Sequence, residues 1–112
     1  MKHKMKLWRE PFESVKSGKK TIEMRLFDEK RSLIQKGDEI EFKNVDTGEI
    51  LLCGVKGIYR YKNFEELYKN HDKISIGYEE NETAEPKDML VYYSQEEIDR
   101  YGVAAIEIQI KE

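Results

Sequence analysis

Cysteine is nearly absent: Cys53 is the single thiol in 112 residues. One thiol excludes an internal disulfide and suits a reducing compartment, so a cytoplasmic location is expected. Cys53 sits in the apolar run Leu51-Leu52-Cys53-Gly54-Val55 and reads as a small buried hydrophobe. Histidine is scarce too. His3 and His71 lie far from each other and from Cys53 in the chain, so no metal-ligand spacing exists, and neither metal nor cofactor is expected. There is no glycine-rich phosphate cradle and no nucleophile elbow. No run approaches the roughly 20 apolar residues that cross a bilayer. The basic start is followed by no apolar stretch of a secretory signal. A membrane partner is therefore not expected.

What the chain has in quantity is charge, at 38% of residues, matched by 38% hydrophobic residues. That composition supports one domain over residues 1–112 with a modest core and a very polar surface. The net charge of −3 hides an asymmetry. Residues 1–62 hold 15 Lys and Arg against 10 acids, a net of +5, whereas residues 63–112 hold 5 against 13, a net of −8. Such polarity predicts one positive surface that attracts phosphate and one acidic surface that repels it. A protein-interaction module using the acidic half is the competing expectation.

The local pattern predicts a first strand over Met5–Trp8, then a short helix over 10–17 that begins near Pro11 and ends at Gly18. Phe12 and Val15 should point inward from it. Lys36-Gly37-Asp38 turns into a half-buried strand over 39–43. Val45-Asp46-Thr47-Gly48 marks a hairpin. A long strand follows over Glu49–Tyr61, with Gly54 and Gly57 suited to a bulge or a barrel corner. Asn63 caps a helix through Leu67 and Tyr68. Residues 70–85 read as a polar, acidic loop, and Pro86 opens a short helix. Ser94-Gln95-Glu96-Glu97 is a capping box for a last helix ending at Tyr101-Gly102. The closing strand, Val103–Lys111, should bury Ile106, Ile108 and Ile110. Five strands with short helices indicate an α+β fold around a small curled or closed sheet.

The segment Gly18-Lys19-Lys20-Thr21-Ile22-Glu23-Met24-Arg25-Leu26-Phe27-Asp28 carries the most information. At a strand's period of two, Ile22, Met24 and Leu26 share one face, and Thr21, Glu23, Arg25 and Phe27 the other. The apolar row is expected to enter the barrel and the polar row, with Lys20 at its entrance, to line a cleft. The plainer alternative makes Glu23 and Arg25 solvated partners on an open face.

Together with Pro11-Phe12, Lys36-Gly37-Asp38-Glu39-Ile40-Glu41-Phe42 and Tyr101-Gly102-Val103-Ala104-Ala105-Ile106-Glu107-Ile108, this segment resembles the signature of the ASCH domain. The resemblance covers essentially the whole chain. It implies a PUA-like small β-barrel of five or six mostly antiparallel strands with short flanking helices. It also implies a cleft that takes RNA or a nucleoside, lined by Lys20, Thr21, Glu23 and Arg25. One branch of the family hydrolyses the acetyl amide of N(4)-acetylcytidine with a lysine, a threonine and a glutamate. The lysine falls on Lys20. The threonine position holds Glu23, a departure, and the third residue falls within Ser75-Ile76-Gly77-Tyr78-Glu79-Glu80. Another branch cleaves RNA.

Two roles follow as expectations. In an amidohydrolase, Lys20 would act as base or nucleophile and Glu23 would activate water, with Thr21 or Arg25 orienting the carbonyl. In a binding protein, Lys20–Glu23 would be an ion pair that shapes the pocket. Lys19, Lys30, Arg31 and Arg60 would then meet phosphates. Tyr59, Tyr61, Tyr92, Tyr93 or Trp8 would stack on bases, although Trp8 and Tyr59, on strands, are more often core or barrel-filling residues than base platforms.

Overall fold

Alternating apolar residues build five strands in the computed structural model, which describes residues 1–111. They are β1 (Lys2–Leu7), β2 (Ile22–Leu26), β3 (Glu39–Asn44), β4 (Ile50–Tyr61) and β5 (Val103–Ile110). All belong to one sheet in the order β1-β3-β4-β5-β2. β1 runs parallel to β3, and the other neighbours are antiparallel. The fold is α+β: the expected small barrel is realised as a curled half-barrel whose edge strands, β1 and β2, do not pair. The register of β4 against β5 slips between Val55 and Gly57, a bulge that lets a long strand bend.

The helices follow their caps. In α2 (Phe64–Asn70), the Glu66 amide donates to the Asn63 side chain at 3.0 Å. In α3 (Gln95–Tyr101), Ser94 and Glu97 form the reciprocal capping box. The first helix, α1 (Arg9–Lys16), buries Phe12 and Val15. Short 3-10 turns occupy Arg31–Leu33 and Pro86–Val91. Among the described residues, no helix is long and apolar enough to cross a membrane.

Two cores form. Phe12 and Val15 of α1 join Ile40, Phe42, Cys53, Val55, Ile106 and Ile108 on the side of the sheet that α1 covers. Phe64, Leu67 and Ile98 of α2 and α3, with Met89, cover Ile22, Met24, Leu26, Val103 and Ala105. The apolar row of β2 is therefore buried, but beneath the helices and not inside the curl. It is the polar row that shares a face with Ala104 and Ile106, the cross-strand partners of Arg25 and Glu23. Trp8 also departs from expectation. The first strand ends one residue earlier, and Trp8 sits 71% exposed at the entry to α1.

Gly102 joins α3 to β5 with φ +73° and ψ −173°, a region open essentially only to glycine. A β carbon there would lie 3.0 Å from the Tyr61 carbonyl oxygen. Gly102→Ala is expected to destabilise the fold by about 1–3 kcal/mol, read from the urea midpoint. An unshifted midpoint would contradict this account of the junction.

Candidate functional site

The unpaired edges of the sheet meet through a side chain. Arg25 Nη2, on β2, donates to the Lys6 carbonyl of β1 at 3.0 Å. The same guanidinium grips Glu23 Oε2, with Nε at 2.9 Å and Nη2 at 2.7 Å. The other oxygen, Glu23 Oε1, meets Lys20 Nζ at 3.1 Å. Glu23 is only 2% exposed, and the side chains of Lys20 and Arg25 are 11% and 14% exposed.

Backbone geometry sets Lys20 in place. Gly18, at φ +85°, ends α1 and turns the chain. The Lys20 amide then donates to the Ser14 carbonyl at 3.0 Å. The amides of Thr21 and Ile22 both donate to the Ser75 carbonyl, at 3.0 and 2.9 Å. This clamp ties the loop at 75–79 to the start of β2. Gly77 lies so close that an added β carbon would meet Lys20 Cδ at 3.4 Å.

Burial alone would push the Glu23 carboxyl up, but the charges of Lys20 and Arg25 and their hydrogen bonds outweigh it, and the net shift is down. Burial likewise opposes the Arg25 charge, and Glu23 restores it, leaving Arg25 more firmly protonated. Lys20, Glu23 and Arg25 thus form a buried, ionised cluster. Nearby, burial and the Glu23 charge push the Cys53 thiol up to about 11, which makes it inert as a nucleophile.

The cluster floors an open cleft of about 1480 Å³. One part of its wall comes from the end of β1 and α1, including Lys6, Trp8 and Arg9; another comes from residues 76–82 and 88–93. Inner aromatic groups are Tyr68, Tyr78 and Tyr93. Tyr78 donates its hydroxyl to Asp88 Oδ2 at 2.8 Å, and the Tyr68 hydroxyl lies 2.9 Å from that of Tyr78. Burial, then Tyr68 and Asp88, raise the Tyr78 phenol well above its ordinary value, so it remains a neutral donor. Tyr93 stacks on Phe64 with ring centroids 6.1 Å apart. Five basic and six acidic side chains line the cleft. All five bases and three of the acids come from residues 1–62 and the other three acids from residues 63–112, so both halves of the chain line one cleft.

Of the residues singled out in the sequence, the structure brings together Lys19, Lys20, Glu23 and Arg25 with Trp8, Tyr92 and Tyr93. Thr21 is exposed and does not line the cleft; it precedes β2, where its backbone serves the clamp. Lys30, Arg31 and Arg60 lie outside the cleft as well. Arg31 Nη1 pairs with Asp28 at 3.0 Å, and Arg60 lies over the Phe27 ring at 4.6 Å. The chain leaves β2 away from the cleft, so cations that follow it in sequence do not follow it in space. Tyr59 turns outward to Glu107 and Tyr61 to His71. Sequence reasoning missed Tyr68, Tyr78 and Asp88. The pair Ile74 and Ile76 in an otherwise polar stretch, with Ile76 2% exposed, was the available signal that this loop is anchored.

Glu23→Gln keeps the shape but leaves two buried cations without a counter-charge, an effect of about 3–5 kcal/mol for a broken buried pair. The folded-state pKa of Glu23 is depressed, so its contribution is present above the ordinary carboxylate range and is lost as pH falls through the folded value. Urea melts from pH 7 down to pH 2 are expected to show a steeper acid loss in the wild type than in Glu23→Gln. Parallel curves would contradict the ionised cluster.

The ASCH domain family profile matches residues 5–112. Among solved structures, the hypothetical protein PH0355 is similar, at 36% identity and TM-score 0.84, with 99% of this chain and 100% of that one covered. The protein PF0455 from Pyrococcus furiosus is similar at 35% identity and TM-score 0.78, with 100% and 99% covered. No curated protein matches. A profile match from β1 onward, joined to full-length structural agreement, shows that the chain belongs to the ASCH domain family.

Proposed function

We propose that the cleft holds one nucleoside unit, free or within single-stranded RNA, and that the protein binds this ligand without cleaving it. The observation that carries the reading is the state of the floor. Both Glu23 oxygens are engaged and the residue is 2% exposed, which leaves no approach for a water to be activated. Glu23 instead fixes Lys20, whose ammonium has three N–H donors. One faces Glu23, and the remaining two are available to a carbonyl or hydroxyl in the cleft. Tyr78 and Tyr93 offer aromatic surface beside it, and Asp88 offers an acceptor for an amine. Such a set of donors, acceptors and rings matches a nucleobase.

The charge of the lining favours a nucleoside over a phosphate track. With six acids against five bases in the lining, the cleft is not an anion sink. The hydrolytic reading rests on Lys20, which occupies the position of the lysine in the amidohydrolase branch that the sequence resembles. Its acid or water-activating partner would have to come from outside Glu23.

Lys20→Ala is expected to weaken nucleoside binding about 10- to 100-fold, the range of a charged hydrogen bond, while circular dichroism stays unchanged. Binding by calorimetry should respond little to salt between about 50 and 200 mM, since few phosphates are neutralised. A steep salt slope, or full affinity in Lys20→Ala, would contradict the reading. Incubation with N(4)-acetylcytidine is expected to release no acetate; release that vanishes in Lys20→Ala would install hydrolysis in its place.

A further inference from the structure

The nucleoside reading accounts for the floor of the cleft but leaves its mouth unexplained. Trp8, Val91 and Tyr92 are 71%, 83% and 64% exposed, and all three line this one cleft. Single exposed apolar side chains are ordinary, but their convergence from separate segments of the chain marks an interaction surface. The cleft is also too large for one base. Ligand pockets generally run to about 300–1,000 Å³, whereas this one reaches about 1480 Å³. Beside Trp8 in sequence stand Lys6 and Arg9, which also line the cleft and have no ion-pair partner among the described residues.

Resting on the reading above, we infer that the mouth takes the nucleotide next to the bound one, its base stacking on Trp8 and Tyr92, so that the ligand is a single-stranded RNA segment. Aromatic platforms of this kind accept any base, because every base has a π face. Lys6 and Arg9 stand where they can meet the single phosphate that links the two nucleotides. One such contact adds only a shallow salt slope, consistent with the balanced charge of the lining. The exposure of Trp8 gives the indole no packing role in the core, so its removal leaves the fold intact.

Trp8 is the only tryptophan, which makes its fluorescence a direct reporter. The experiment titrates the protein with cytidine, uridine and adenosine and with the corresponding tetraribonucleotides. The tetranucleotides are expected to quench the indole and to bind about tenfold more tightly than the nucleosides, the magnitude of one stacked base. Measured by calorimetry, Trp8→Ala should erase that gain while leaving nucleoside affinity unchanged, and Tyr92→Ala should reduce it. Lys20→Ala should weaken both kinds of ligand. A tetranucleotide that binds no better than its nucleoside, or a Trp8→Ala variant that keeps the gain, overturns the inference and leaves the nucleoside reading standing. Wild-type protein that binds neither probe overturns both.

Discussion

A carboxylate taken out of water is the constraint around which this small fold is arranged. Removing an ion from solvent is unfavourable by several kcal/mol unless partners replace its hydration. Glu23 finds them in a lysine delivered by the end of α1 and an arginine two residues along its own strand. Through Arg25 the cluster reaches the Lys6 carbonyl, and so ties together two edge strands that make no ladder. The clamp of the Ser75 carbonyl on the Thr21 and Ile22 amides holds the opposite wall of the cleft to the same few residues. Sheet closure, loop position and the polar floor are therefore one arrangement.

This arrangement gives the candidate cleft a lining of mixed charge, where the charge distribution along the chain suggested a basic face. The N-terminal half supplies Lys6, Arg9, Lys20 and Arg25. The C-terminal half supplies Asp88, Glu79 and Glu82 across the same space. Lys19 and Glu79 approach to 3.6 Å between these two contributions. A lining so mixed favours ligands with both donors and acceptors, and aromatic surface, over a string of phosphates.

Much of the fold was legible because its local signals agree with one another. The Asn63 cap, the capping box at Ser94 and Glu97, and the turn glycines at positions 18, 37 and 102 each mark a boundary that the structure keeps. Alternation in β2 separated its two rows correctly. What alternation does not contain is which layer covers which row. The clue lay in β5, where Val103, Ala104, Ala105 and Ile106 are all buried, so a strand read as one-sided is covered on both faces. Lys20, Glu23 and Arg25 were visible as a polar row because they are close in sequence. Thr21, Lys30 and Arg31 were grouped with them for the same reason and Arg60 for its charge, although the backbone carries them elsewhere. The clamp at Ser75 is made by a carbonyl, which no side-chain pattern records. Trp8 was weighted toward the core because an aromatic read as a strand residue more often fills a barrel than rims a cleft, and only the chain's exit into α1 decides.

The most direct test of the account is amide and indole chemical-shift mapping of the protein titrated with cytidine, uridine and adenosine. Shifts confined to residues 19–25, residues 75–79 and Tyr93, with the Trp8 indole unmoved, would place the nucleoside on the ionised floor, as this account requires. Shifts clustered on the outer surface around Arg60 and Tyr59, or none with any nucleoside, would contradict it.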